Sequence, residues 1–226
     1  MSRIIITGAS DGLWLQLCKT FLAKWYEVIW LSRSKPKADV IHIETDLTSK
    51  ESLTKTAKQV KEKYPDFSCI ISCAGIGYIE KLDAIDYDHT EETFKVNITG
   101  QGYLLSQLSD LIKNNKADLI FIGATIAHKG NEFMPMYSVS KWATRWLIEN
   151  RRLELKNTAC RVIGVHPGGM NTDSNLGPNG RETIISKMTG KVTWTLLDAS
   201  EVAKFVCSLA QLPKNMEVSD VIINKK

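Results

Sequence analysis

The chain has 226 residues, 43% of them hydrophobic, which is enough to bury a sizeable core, and α/β folds of this length commonly form one domain. Lys and Arg outnumber Asp and Glu by only 29 to 25 with no extended basic run, so composition supports a solvated charged face and no nucleic-acid partner. The 5 cysteines are odd in number and lack a C-x-x-C pair, which argues against a disulfide framework or zinc site and for a reducing compartment. The apolar start is too short for a secretory signal and no stretch approaches a membrane span, so the expectation is a cytoplasmic protein with no membrane partner.

In chain order, short β-rich runs alternate with helical patterns. Strands are expected at 3–7 (RIIIT), 27–32 (EVIWLS), 40–45 (VIHIET), 67–72 (FSCIIS), 118–123 (DLIFIG), 160–166 (CRVIGVH) and 218–224 (VSDVIIN). Helical spacing covers 12–24, 50–63, 90–114, 137–156 and 200–211. Near-continuous Ile and Val runs mean strands buried on both faces. The order predicts an α/β fold, a doubly wound parallel sheet of the Rossmann type with helices on both faces and ligands at the carboxyl ends of its strands. No linker or repeat divides residues 1–226, and the irregular stretch 171–195 reads as a lid over a substrate.

The stretch TGASDGLW, Thr7 to Trp14, follows the first strand. Gly8 permits a turn closed to a residue with a Cβ, and Gly12 opens a helix whose amide groups and dipole can face phosphate. The same pattern is also the ordinary way to join a strand to a helix. At the end of the second strand an acid would accept from an adenosine ribose hydroxyl, whereas a nearby Arg pairs with a 2′-phosphate. Here Ser32 stands where the acid would be, followed by Arg33 and Lys35, which read as a phosphate-pairing group or as a solvated basic turn.

The second constellation is YSVSK, Tyr137 to Lys141. Residues four apart share one helix face, and a neighbouring ammonium favours the phenolate form of a tyrosine, which suits proton transfer to or from a carbonyl or alcohol oxygen. By itself the spacing also fits a tyrosine at the edge of a core. Its place after a glycine turn and further strands gives it weight.

Together these segments resemble the short, single-domain branch of the short-chain dehydrogenase/reductase family: TGASDG, YSVSK, NITG at 97–100 and PGGMNT at 167–172 occur in the family's order. The resemblance implies that Thr7, Gly8, Ser10, Asp11, Gly12 and Leu13 form a cofactor turn. It implies Tyr137 as catalytic acid/base, Lys141 as the group that eases its ionisation and holds the nicotinamide ribose, and Asn97 as the residue that positions a proton-relay water. Asp46 and Leu47 would flank the adenine, Ala74 and Gly75 the cofactor wall, and Pro167, Gly168 and Thr172 the nicotinamide. Arg33 implies NADP(H) over NAD. The family's helix that bears the Tyr often packs against another subunit, which implies a homodimer or homotetramer.

Three positions depart from the family pattern. Cys73 in SCAG replaces an Asn that steadies the sheet and cofactor wall. The substrate-orienting Ser lies twelve or thirteen residues before the Tyr, where this chain offers Thr125 or Ala124, and Thr125 is the better match because TIA resembles S-x-A. Trp14 takes the last glycine place of the turn; lying beyond Gly12 in the first helical turn, it is expected to point away from the phosphate, packing on the sheet or covering the nicotinamide side. His42, His89, His128 and His166 are dispersed, and no metal site is expected. Trp142 and Trp146 read as a buried helix stripe or a subunit contact, and Asp198 or Ser200 as a helix N-cap. Two functions follow: an NADP-dependent oxidoreductase acting on a small carbonyl compound or its alcohol, or an NADP-binding sensor or interaction protein on the same fold that has lost turnover, to which the three departures point.

Overall fold

The computed structural model describes residues 2–8, 12–172 and 196–226. The expected lid therefore lies outside the described residues from 173 to 195, as do Ser10 and Asp11 of the first turn.

Seven strands form one parallel sheet in the order β3-β2-β1-β4-β5-β6-β9. They are β1 (Arg3–Thr7), β2 (Glu27–Ser32), β3 (Ile41–Glu44), β4 (Cys69–Ser72), β5 (Asp118–Ile122), β6 (Val162–Pro167) and β9 (Asp220–Ile223). The alternation of strand side chains divides the core between two faces. Ile4, Ile6, Val28 and Trp30 pack beneath α1 (Leu13–Leu22) and α7 (Ala199–Ala210), with Leu17, Phe21 and Val206. Ile5, Ile29, Leu31 and Phe121 pack beneath α2 (Lys50–Lys63), α4 (Gln101–Gln107) and α6 (Pro135–Leu155), with Val60, Leu104 and Ile148. The central strands are buried along their length, whereas β3 and β9, at the sheet's edges, are partly exposed. Two short strands, β7 (Met170–Asn171) and β8 (Leu197–Asp198), pair with each other. Their two-residue length carries no periodicity. Asp198 caps α7 by accepting from the Ser200 N–H at 2.7 Å, as expected.

The expected helix 90–114 is not one helix. It begins earlier as α3 (Tyr87–Phe94), capped by Asp86, which accepts from the His89 N–H. It then widens into a π-helical turn (Lys95–Gly100), continues as α4 and breaks at Leu108 before α5 (Ser109–Asn114). The π turn contains Asn97, wholly buried and bonded to the backbone of Ile76. A tertiary hydrogen bond thus accompanies a wider turn that apolar spacing does not reveal, and such bulges often mark functional sites.

At the β6–β9 edge, His166 Nε2 lies 2.8 Å from Asp220, which also receives a bond from Arg152 at 2.8 Å. Burial works against the Asp220 charge, but the Arg152 and His166 hydrogen bonds outweigh it and hold the carboxyl below its usual range. With Nε2–H donating to the carboxylate, Nδ1 is an acceptor without a partner among the described residues. Protonating it would bury an unpaired donor, and burial lowers the His166 pKa despite the opposing pull of Asp220. A histidine depressed in the folded state binds its proton more readily when unfolded. Its contribution is therefore full above the unfolded value of about 6.5 and is lost below it, with a slope of at most about 1.4 kcal/mol per pH unit. Denaturant titrations at pH 5.5 and 7.5 are expected to show the wild type losing stability on acidification, with that component absent from His166→Gln.

Candidate active site

The sheet order reverses between β1 and β4, and the crevice outside their carboxyl ends is where ligands bind in open α/β sheets. A cleft of about 200 Å³ opens there, lined among others by Gly8, Trp14, Ser32, Arg33, Leu47 and Gly75. Thr7 ends β1 with its hydroxyl accepting from the N–H groups of Cys73 at 3.2 Å and Ala74 at 3.4 Å, which ties the two strand ends together. Gly12, at φ 69°, caps α1 in a conformation that favours glycine. The Leu13 side chain faces the core, so only its backbone is available to a cofactor.

On the adenosine side, Ser32 is spoken for. Its hydroxyl accepts from Trp30 Nε1 at 2.7 Å and donates to the Ser34 carbonyl at 2.6 Å, which shapes the turn that presents Arg33. Arg33 is 70% exposed, with Nη1 4.0 Å from Glu92 of α3. Glu92 in turn accepts from Tyr78, whose phenol is pushed up to about 12 chiefly by that bond. Asp46 Oδ1 accepts from the Thr48 N–H at 2.8 Å and its hydroxyl at 2.7 Å, fixing the loop that carries Leu47.

On the other side, Lys141 is buried and donates through Nζ to the Ile122 carbonyl at 3.1 Å, with Nζ 5.7 Å from the centre of the Tyr137 ring. Asn97 Oδ1 accepts from the Ile76 N–H at 2.9 Å, and its Nδ2 donates to the Ile76 carbonyl and to Ser140 Oγ, both at 2.8 Å. Ser140 lies between Tyr137 and Lys141 on α6, so Asn97 is bonded to the helix that bears both. Gly75 joins the two sides: a Cβ built there would stand 3.0 Å from Lys141 Nζ and 3.4 Å from Asn97 Oδ1. The Tyr137 ring lies over Gly77, where a Cβ would meet it at 2.5 Å. Thr125 opens a short 3-10 turn (Thr125–His128), and its Oγ1 would be 3.8 Å from a Cβ on Gly168. Pro167 ends β6, the Gly168 N–H donates to the Ile223 carbonyl at 2.8 Å, and Thr172 is buried.

Two expectations are corrected. The Trp14 indole packs against the core on its face of the sheet, one of the expected placings, but it does not turn away from Gly8. It lies over Gly8, where a Cβ would meet its ring at 2.5 Å, and Nε1 donates to the Cys73 carbonyl at 2.6 Å. The vacant carbonyl at the end of β4 is an acceptor that helical position alone does not disclose. Trp142 and Trp146 are not a buried stripe: they are 52% and 54% exposed and meet edge to face at 5.9 Å, because the opposite side of α6 already covers the sheet. Sequence reading also missed Gln101. It donates to the Ala74 carbonyl at 2.8 Å and accepts from Ser72, bracing the wall beside the replaced Asn. Its spacing of four from Asn97 was the available signal.

The sequence model of the short chain dehydrogenase family matches residues 2–179. The chain belongs to that family. It is thus an oxidoreductase of alcohol and carbonyl groups. An uncharacterized oxidoreductase of Staphylococcus saprophyticus is 23% identical over 236 residues, covering 97% of this chain and 95% of that protein. One from Schizosaccharomyces pombe is 26% identical over 180 residues, 76% of this chain, and the match spans 62% of that longer protein. The solved alcohol dehydrogenase of Thermococcus sibiricus, complexed with 5-hydroxy-NADP, shares the fold with a TM-score of 0.84 at 22% identity, covering 99% of this chain and 96% of that one. Among the described residues no group of His, Cys, Asp or Glu could hold a metal, and no helix is long and apolar enough to cross a membrane.

Proposed function

We propose that this short-chain dehydrogenase binds NADP(H) in the β1–β4 cleft and interconverts a small carbonyl compound and its alcohol, with Tyr137 as the acid/base. The observation that carries the reading is the convergence on Gly75 of a buried Lys141 and a buried Asn97 beside the Tyr137 ring. The cleft fits the cofactor in chemistry: a glycine turn and helix start for pyrophosphate, Arg33 for a 2′-phosphate, Leu47 and Ala74 for an apolar ring. When bound, NADP(H) supplies or accepts the hydride.

The chain's own residues do the rest. Tyr137 gives or takes the proton at the reacting oxygen, and Thr125 orients that oxygen by hydrogen bonding. Lys141 keeps a positive charge beside the phenol and holds the nicotinamide ribose. Asn97, locked to Ile76 and Ser140, fixes the helix and positions the relay water. The protein works as one domain in the cytoplasm, as a homodimer or homotetramer joined through the α6 face that exposes Trp142 and Trp146. NADPH oxidation against aldehydes, ketones and quinones, with cofactor binding measured in parallel, tests the reading; binding without turnover on any of them would favour a sensor.

Arg33→Ala is expected to weaken NADPH binding about 10- to 150-fold and NADH binding hardly at all, because a charge-assisted bond to phosphate contributes about 1.5–3 kcal/mol when well formed. The exposed Glu92 pair contributes at most about 1 kcal/mol and does not outcompete a phosphate. Calorimetry with both cofactors checks this. Equal losses would show that Arg33 does not read the 2′-phosphate.

A further inference from the structure

Two of the family departures, Trp14 and Cys73, are parts of one arrangement. The indole bridges the crevice at which the sheet order reverses: its ring stands over Gly8 at the end of β1, and its Nε1 is bonded to the Cys73 carbonyl at the end of β4. Small residues flank it on both sides, because Gly8 has no side chain to collide with the ring and the buried Cys73 thiol takes less room than an Asn amide. The ring is only partly buried and forms one wall of the cleft, so its outer side is open to solvent. The cleft measures about 200 Å³ and its chemistry suits a dinucleotide, but the indole stands across it between the ends of β1 and β4.

We infer that Trp14 is a plug in the cofactor crevice, held by the Cys73 carbonyl in the free protein and displaced when the dinucleotide binds. This rests on the proposed binding of NADP(H) to the same cleft. Gly8, where the glycine turn begins, lies beneath the ring, so close approach of a pyrophosphate to it requires the indole to rotate out and give up its bond to Cys73. A cofactor that binds only the open state shows an apparent dissociation constant raised by the reciprocal of the open fraction. Trp14 thereby sets how much NADP(H) the protein needs before it is loaded, and removing the ring removes that requirement.

The test is calorimetric binding of NADPH to the wild type, Trp14→Ala and Trp14→Phe, each first shown to be folded by circular dichroism. Trp14→Ala is expected to bind about tenfold more tightly than the wild type, as for an open fraction near a tenth. Trp14→Phe, which keeps an apolar ring and loses the donor, is expected to fall between them and serves if the alanine variant does not fold. An independent readout uses the wild type itself. In spectra of ¹⁵N-indole-labelled protein, the N–H resonance missing from Trp14→Phe is protected from solvent exchange in the free protein and is expected to lose that protection on saturation with NADPH. Equal or weaker NADPH binding by both variants, or an indole N–H that stays protected at saturation, would overturn the plug while leaving the cofactor assignment standing. Absence of NADPH binding in the wild type and both variants would instead overturn the cofactor assignment, and the plug with it.

Discussion

Tyr137→Phe is expected to lower kcat for carbonyl reduction by about 100- to 10,000-fold, the usual contribution of a positioned acid/base, while leaving NADPH affinity within about twofold. The substitution removes one oxygen. The ring that lies over Gly77 and the helix that carries it stay in place, because the phenylalanine ring occupies the same volume. Steady-state kinetics on whichever carbonyl compound is reduced, together with calorimetric NADPH titration, separates the two effects. A variant retaining more than a tenth of the wild-type rate would remove Tyr137 from the chemistry.

Lys141→Ala is expected to harm both steps. Its side chain is buried, donates to the Ile122 carbonyl and stands beside Gly75. On the proposed reading its removal takes away a positive charge near the phenol and a charge-assisted bond to the ribose, so kcat should fall by about 100-fold or more and NADPH should bind about tenfold more weakly. The diagnostic is kcat measured at saturating NADPH, where weaker cofactor binding no longer contributes. An unchanged kcat there with only weaker cofactor binding would confine Lys141 to a binding role. Circular dichroism and a thermal melt guard against misfolding, because the Ile122 carbonyl loses its partner.

Much of the fold was legible because its signals are local. Each sheet strand was announced by an Ile- and Val-rich run; β1 and β2 keep their expected bounds, the other runs are trimmed by one or two residues at one or both ends, and β6 runs one residue farther, to Pro167. Helix α2 was read to its bounds, since Ser49 caps it and Lys61 and Lys63 close its last turn. The region 90–114 was read less well. Its apolar spacing is helical throughout, but the π turn around Asn97 accompanies bonds to Ile76, a residue about twenty positions away, and no local period carries that information. Short β7 and β8 went unread for a similar reason, as strands of two residues that pair with each other leave no pattern.

The sequence by itself determined the alternation of strands and helices, the glycine turn after β1, and the placing of Tyr137 and Lys141 on one helix face, because each follows from φ/ψ permissiveness or from side-chain periodicity along a few residues. It also marked Trp14, Cys73 and the Thr125–Ala124 pair as departures. Only the tertiary structure decided what those departures mean. Pairing β1 with β4 brings Gly8 and Trp14 to the Cys73 carbonyl, 59 or more residues away along the chain, and packing α4, the π turn and α6 beside those strand ends adds Gln101, Asn97 and Ser140. A buried carbonyl needs a donor, and the donor it finds depends on which segments the sheet places beside it. That is a property of the assembled fold, so the indole's direction could not be read from its place in the first turn of α1.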